Sequence, residues 1–424
     1  MNTTEYVYLR NTLSSTGNQS RSSENIDAVI ETADLSKKDV FDLNRDPDIL
    51  TSTPNMPTAL IAPVPIDHSN NLEFDMTFME AVEATQSEVL EDTAEATWGV
   101  QAVGATKSNY TGRGAVVAIL DTGIDASHER FAGVNIYFQN FTNDGVNGDV
   151  MGHGTHCAGT VFGQDIEGKP RIGVAPAIEK ALIGKVLARN GSGSTAWAAN
   201  GIQWAANQGA HIISMSLGSS LLTYFNELQQ GGMSLQNALS VSFNSYQSNL
   251  KFYESIVKYN QAKNQDCVII AASGNESGRY GSGIYNAFDT PCGVPAVSEG
   301  IISVGALGLI GNMFPNSKED KKSLMTVASF SNYNNDISAP GQNILSALPN
   351  NNYALQHGTS MATPHVAGVA ALWVQKQFEM FGHIKPEMLR HQLQGNATMN
   401  AVLSDIKQLK IDPLDIGAGL VQAP

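Results

Sequence analysis

The stretch Ala115-Val116-Val117-Ala118-Ile119-Leu120-Asp121-Thr122-Gly123 opens with six apolar residues and ends in a carboxylate followed by a turn glycine. Such a run lacks the alternation of a half-exposed strand and reads as a strand buried on both faces. Similar runs recur at Ala181-Leu182-Ile183, Ile212-Ile213-Ser214-Met215, Cys267-Val268-Ile269-Ile270-Ala271-Ala272 and Ile301-Ile302-Ser303-Val304. Helical segments separate them; the one from Thr195 to Gln208 stops at Gly209, where a helix end calls for a left-handed residue. This alternation predicts an α/β fold, a parallel sheet flanked by helices on both faces. Active sites in such sheets gather at the carboxyl ends of the strands, which is where Asp121 stands.

Bulk composition agrees. A chain of 424 residues, 42% hydrophobic and 15% charged, can bury a large core, and its glycines follow no fixed period. The formal net charge of -15 disfavours nucleic acid and anionic membranes as partners. No segment approaches the roughly 18 apolar residues of a spanning helix. Met1 to Tyr6 show no basic cluster leading into an apolar stretch, so no secretory leader is expected and a cytoplasmic location is. Cys157, Cys267 and Cys292, an odd count without metal-like spacing, read as buried thiols in a reducing compartment.

Residues 1–95 differ in character. Two strand-like pieces, Tyr6-Val7-Tyr8-Leu9 and Ala59-Leu60-Ile61-Ala62-Pro63-Val64, flank a polar stretch. An acidic run from Glu80-Ala81-Val82-Glu83-Ala84 to Glu91-Asp92-Thr93-Ala94-Glu95 then reads as a linker to the domain of residues 96–424. Within that domain, residues 221–263 lack a strand-like run. Helical spacing of Leu235, Leu239, Phe243, Tyr246, Leu250, Tyr253 and Val257 predicts one or two surface helices inserted there.

Cleaving an acyl bond by nucleophilic catalysis takes a nucleophile, a base, a group that orients the base, and donors for the oxyanion. Asp121-Thr122-Gly123 offers a carboxylate at a strand end, although a lone Asp there is most often a turn residue. Gly152-His153-Gly154-Thr155-His156 offers a base in His153. The two histidines lack the spacing of four and the Glu of the helical zinc motif, so no metal is expected and His156 reads as structural. In Gly358-Thr359-Ser360-Met361-Ala362-Thr363-Pro364-His365, small residues and a proline read within the first turn put Ser360 at a helix N-terminus, where free N–H groups favour an anion.

Together these blocks resemble the three active-site signatures of the subtilisin-like serine proteases, the subtilases, in that family's order, and Gly417-Ala418-Gly419-Leu420-Val421 resembles its closing segment. The resemblance implies a subtilisin-like sheet, an endopeptidase acting on peptide or protein substrates through Asp121, His153 and Ser360, and an oxyanion donor in Asn275 beside the Ser360 N–H. It also implies that an extended substrate pairs with Gly191-Ser192-Gly193 and Ser216-Leu217-Gly218. The latter and Ala272-Ser273-Gly274 would wall the primary specificity pocket, with Asp289 near its floor favouring Lys or Arg before the cut. No cofactor is implied for the chemistry. At the strong calcium site of the family Arg130 stands where an Asp ligand is usual, and Gln164–Arg171 departs in length and charge, so that site is expected to be altered, with calcium elsewhere left open. Residues 1–95 take the place of a small α+β prosegment that blocks the cleft until cut. The alternatives are a peptide-binding relative without chemistry and an esterase or acyl transferase using the same triad.

Overall fold

The computed structural model describes residues 3–12, 27–64, 90–263, 265, 267–279, 288–313, 324–400, 402 and 412–424. The chain begins with β1 (Thr4–Asn11), β2 (Ala28–Leu35), helix α1 (Lys37–Leu43) and β3 (Ile49–Pro54), a small antiparallel sheet in the order β2-β1-β3. The chain then leaves this sheet as β4 (Pro57–Leu60). The predicted strand at Tyr6–Leu9 is present, whereas β2, α1 and β3 fill the polar stretch that showed no pattern. Ala28 to Leu35 escapes notice because only Ala28 in it is buried, so no apolar run marks the strand. Glu80-Ala81-Val82-Glu83-Ala84 of the predicted linker lies outside the described residues.

The main domain follows as α2 (Trp98–Ala102), β5 (Val116–Asp121), β6 (Ile136–Asn140), α3 (His153–Phe162), β7 (Lys180–Lys185), β8 (Ser192–Ser194), α4 (Thr195–Asn207), β9 (Ile212–Met215) and β10 (Leu217–Gly218). Next come α5 (Leu221–Gln230), α6 (Leu235–Ala262), β11 (Val268–Ala272), β12 (Ile301–Leu309), α7 (Ile310–Met313), β13 (Met325–Val327) and β14 (Ile337–Pro340). The chain closes with β15 (Ile344–Leu348), β16 (Asn352–Gln356), α8 (Thr359–Phe381), α9 (Pro386–Gly395) and α10 (Pro413–Ile416).

The central sheet runs β13-β12-β11-β9-β5-β7-β6, with β14 also on β12. Its pairings are parallel except β12 with β13. The predicted α/β architecture is therefore present, and β5 shows why its sequence is apolar throughout. Val117 and Ile119 enter one core with residues of α3 and α8, while Ala118 and Leu120 enter a second with residues of α4 and α6. A strand with helices on both faces has no position for a polar side chain until it ends.

Residues 221–263 hold the two helices α5 and α6, and the buried stripe of α6 follows the predicted one only in its second half, where Tyr253 and Val257 are buried. Leu235, Leu239 and Phe243 are exposed, while Ala238, Ser242, Ser245, Asn249, Phe252 and Ile256 face inward. The helix packs on β3 and α4 through small and polar groups. Asn249 accepts a hydrogen bond from Thr195 Oγ1 at 2.6 Å and donates to the Pro54 carbonyl at 3.2 Å, so hydrogen bonding joins apolar packing in this contact.

Candidate active site

Asp121 closes β5 and His153 opens α3, and two glycines let these ends meet. Gly123 has φ +111°, a left-handed conformation, and a Cβ on Gly154 would overlap the Gly123 carbonyl. Asp149, four residues before His153, caps α3. It accepts from the N–H groups of Met151, Gly152 and Thr155 and from the hydroxyls of Thr122 and Thr155. A carboxylate there suits the positive end of the helix. Buried Lys185 donates to the Thr122 carbonyl at 2.8 Å and so pins the turn behind Asp121. Sequence reading missed Asp149, Thr122 and Lys185; their only signal was nearness to the motifs.

His153 Nδ1 donates to Asp121 at 2.8 Å and 3.0 Å to its two oxygens, and both side chains are buried. Burial works against an imidazolium here, but the Asp121 carboxylate and the neighbouring Cys157 outweigh it and raise the His153 pKa well above the ordinary value. His156 donates through Nε2 to the carbonyls of Ile344 and Ala354, which ties α3 to the β15–β16 hairpin. Burial and then His153 push its pKa down to about 3, so it stays neutral and structural, as expected.

Ser360 is the second residue of α8, and Pro364 lies inside the helix, beyond the first turn where it was expected. The displacement has a use. Pro364 has no N–H for the Ser360 carbonyl, which accepts instead from Ser216 Oγ at 3.0 Å and Cys157 Sγ at 3.5 Å. Three elements thereby meet at Ser360. Asn275 follows β11, and its Oδ1 accepts from both the N–H and the hydroxyl of Thr359, at 2.9 Å each. That pairing fixes the amide with Nδ2 toward the cleft.

The cleft is filled by the chain itself. β4 lies antiparallel between β8 and β10, with Thr58 opposite Gly193, Ala59 opposite both Ser192 and Gly218, and Leu60 opposite Leu217. Leu60 N–H donates to the Gly191 carbonyl at 2.8 Å. Gly191, Ser192, Gly193, Leu217 and Gly218 thus hold an extended strand, and the Ser216 carbonyl lies 3.4 Å from Ser360 Oγ. Past β4, Ile61 reaches Gly218, whose added Cβ would meet Ile61 Cδ1 at 3.3 Å. Ser360 Oγ donates to the Ile61 carbonyl at 2.9 Å, and Asn275 Nδ2 donates to the Ala62 carbonyl at 3.0 Å. His153 Nε2 is buried and has no hydrogen-bond partner among the described residues.

One expectation changes. Ala272, Ser273 and Gly274 are buried beside the cleft, but Asp289 is half exposed and its carboxylate pairs with Arg279 at 3.1 Å, so it supplies no free charge to a pocket floor. At Arg130 the departure from a calcium site goes further than a lost ligand. Its buried guanidinium donates to the carbonyls of Gln164 and Pro170 and to Tyr353 Oη, each at 2.9 Å. The carbonyls of Gln164 and Pro170 thus face a fixed guanidinium.

Among the described residues no helix is long and apolar enough to cross a membrane. The sequence profile of the subtilase family matches residues 112–412. Alkaline elastase YaB of Bacillus sp. (strain YaB) is 36% identical over 319 residues, which is 72% of this chain and 69% of the relative. Thermitase of Thermoactinomyces vulgaris is 35% identical over 264 residues, 62% of this chain and 75% of its own. The major intracellular serine protease of Bacillus subtilis (strain 168) is 32% identical over 305 residues, 70% of this chain and 80% of its own. A profile match over most of the chain, on a sheet of this topology, makes the chain a member of the subtilase family, and a peptide-hydrolase activity comes with that membership.

Proposed function

We propose that the protein is a serine endopeptidase made in a latent form, with Ser360 as nucleophile, His153 as base, Asp121 as the group that orients the base, and Asn275 with the Ser360 N–H as oxyanion donors. The observation that carries this reading is the peptide strand in the cleft, which brings the Ile61 carbonyl to 2.9 Å from Ser360 Oγ. In the reaction, Ser360 Oγ attacks a carbonyl carbon while His153 Nε2 takes its proton and later gives it to the leaving amine. Asp121 holds the tautomer that leaves Nε2 free and stabilises the imidazolium. Water then releases the acyl group by the same steps in reverse.

Latency follows from a mismatch of register. The Ser360 proton goes to the Ile61 carbonyl oxygen instead of His153, while the oxyanion amide holds the carbonyl of the next residue, Ala62. No single carbonyl has both nucleophile and oxyanion donor, and the residue after Ala62 is Pro63, whose nitrogen is a tertiary amide. Removing residues 1–64 from the cleft would return Ser360 to His153.

Cys157 is the rival nucleophile, since a ligand atom from each of Asp121, His153 and Cys157 lies within 4.8 Å of the others. Its Sγ is 3.9 Å from His153 Nδ1, the nitrogen already committed to Asp121. Burial raises the thiol's pKa, which works against a thiolate. Both observations favour Ser360. Ser360→Ala should lower kcat by about a millionfold, the loss known for the nucleophile of a subtilisin and borrowed for this chain. Cys157→Ala should stay active and still react with a fluorophosphonate probe. Labelling that follows Cys157 rather than Ser360 would sink the assignment.

The calcium question has the same form. With Arg130 as the fixed cation of loop Gln164–Arg171, Arg130→Ala should cost about 2–4 kcal/mol, because two half-buried carbonyls lose their donor and the space of a buried side chain opens. A chelator should leave the Tm of the Ser360→Ala protein nearly unmoved. An Arg130→Ala variant with an unchanged Tm would refute the fixed-cation reading, whereas a chelator-induced drop restored by calcium would mean that a cation is held elsewhere in the chain.

A further inference from the structure

The insertion helix α5 begins three residues after Gly218, capped by Ser220, and so is attached directly to a strand that holds the peptide in the cleft. Alternation along an extended chain puts Pro57, Ala59 and Ile61 on one face, away from buried Thr58. On that face the peptide does not fill the space offered. A cavity of about 240 Å³ remains, bounded by Ala59 and Ile61 on one side and by Tyr224, Glu227 and Glu276 on the other. The small Ala59 methyl leaves room there that a long side chain would occupy.

The charge of this cavity is one-sided. Glu227 comes from α5 and Glu276 from the segment after Asn275, and no Lys or Arg is among the lining residues. Glu276 accepts a hydrogen bond from Asn332 Nδ2 at 2.7 Å, a neutral donor that leaves its charge in place. Among the described residues neither carboxylate forms an ion pair, whereas Asp289 is neutralised by Arg279.

We propose that α5 builds a subsite for the substrate side chain two residues before the residue preceding the cut, and that Glu227 and Glu276 make it select Lys or Arg there. This rests on the peptidase reading above, with Ile61 marking the residue before the cut and Ala59 the subsite. The selectivity at this position comes from Glu227 of the inserted helix together with Glu276; it is separate from the one expected of Asp289, which concerned the residue immediately before the cut.

The test uses the full chain, incubated until its rate is constant, on matched peptides with Leu before the cut and Lys, Ala or Glu two residues earlier. Wild type should favour Lys over Glu by about fivefold in kcat/KM at low salt, the scale of a partly exposed charge pair, and less at high salt. Glu227→Lys should level or reverse that ratio and Glu227→Gln should fall between, with the Ala peptide as internal reference. Glu227 is exposed, so folding does not depend on it. A Lys-to-Glu ratio that is the same in wild type and Glu227→Lys overturns the subsite alone. A wild-type protein that cleaves none of the peptides and never reacts with a fluorophosphonate overturns the peptidase reading and the subsite with it.

Discussion

The two sides of the His153 ring are in opposite conditions. On the Nδ1 side the contact to Asp121 is complete, buried and held by Gly123, Gly154, Asp149 and Lys185, all within or beside the sheet. On the Nε2 side nothing is paired, because Ser360 gives its proton to a carbonyl that belongs to the N-terminal segment. On the proposed reading, one half of the catalytic apparatus is a property of the domain, and the other is controlled by the N-terminal strand that occupies the cleft. A base held ready beside a nucleophile held away can be switched on by removing one peptide, without rebuilding the core.

The largest way to break this comparison is at the proposed oxyanion donor, which serves both of the proposed states. Asn275 Nδ2 holds the Ala62 carbonyl in the latent form and would hold the reacting carbonyl in the active one. Asn275→Ala should lower kcat by about a hundred- to a thousandfold, a magnitude measured for the corresponding donor of a subtilisin and carried over to this chain. Because the latent form also loses a contact, the same variant should shed its N-terminal segment more readily, as intact mass against time would show. A variant with normal kcat would mean that Asn275 serves the lock alone.

A smaller effect isolates the lock. Ile61 is nearly buried against Gly218. Ile61→Asp places a carboxylate in that apolar position and should weaken the segment's hold by at least ~1.4 kcal/mol, enough for about a tenfold rise in the initial rate of freshly purified protein. The final rate, after the segment has left, should equal that of wild type. An unchanged initial rate would mean that the antiparallel pairing of β4 with β8 and β10 carries the lock without the Ile61 side chain.

The same division governs what could be read from the sequence. Parallel strands buried on both faces must be apolar end to end, so β5, β7, β9, β11 and β12 announced themselves, and the position of Asp121 at a strand end follows from that pattern alone. Local motifs carried His153 and Ser360 as candidates for the same reason, since tight glycine turns and helix starts leave few residue choices, whereas Asn275 came only from the family resemblance. What escaped was set by partners distant in the chain. Of the face suggested by spacing, tertiary packing uses Tyr253 and Val257 but not Leu235, Leu239 or Phe243, since the first half of α6 turns Ala, Ser and Asn inward instead. Asp289 read as a pocket charge because nothing local says that Arg279 will claim it. Ala59 to Val64 read as a strand, but the strand found is Pro57–Leu60, and its place in the peptide cleft is set by β8 and β10, which lie far along the chain.

The smallest effect concerns the finished side of the ring and has opposite signs for activity and stability. Burial disfavours the His153 imidazolium, but Asp121 and Cys157 more than compensate, so its folded pKa lies well above the ordinary value near 6.5. Catalysis needs the neutral ring, so kcat/KM of the processed enzyme should rise with pH through an inflection above that ordinary value. Stability runs the other way. A group whose folded pKa is raised contributes stability that is fully present below its unfolded pKa and is lost as pH rises through its folded one. The Tm of the Ser360→Ala protein should therefore fall across the pH range in which wild-type activity climbs, and His153→Gln in that background should remove this part of the slope. An activity inflection at or below 6.5, or a Tm slope indifferent to His153→Gln, would mean that the Asp121 contact orients the ring without holding its proton.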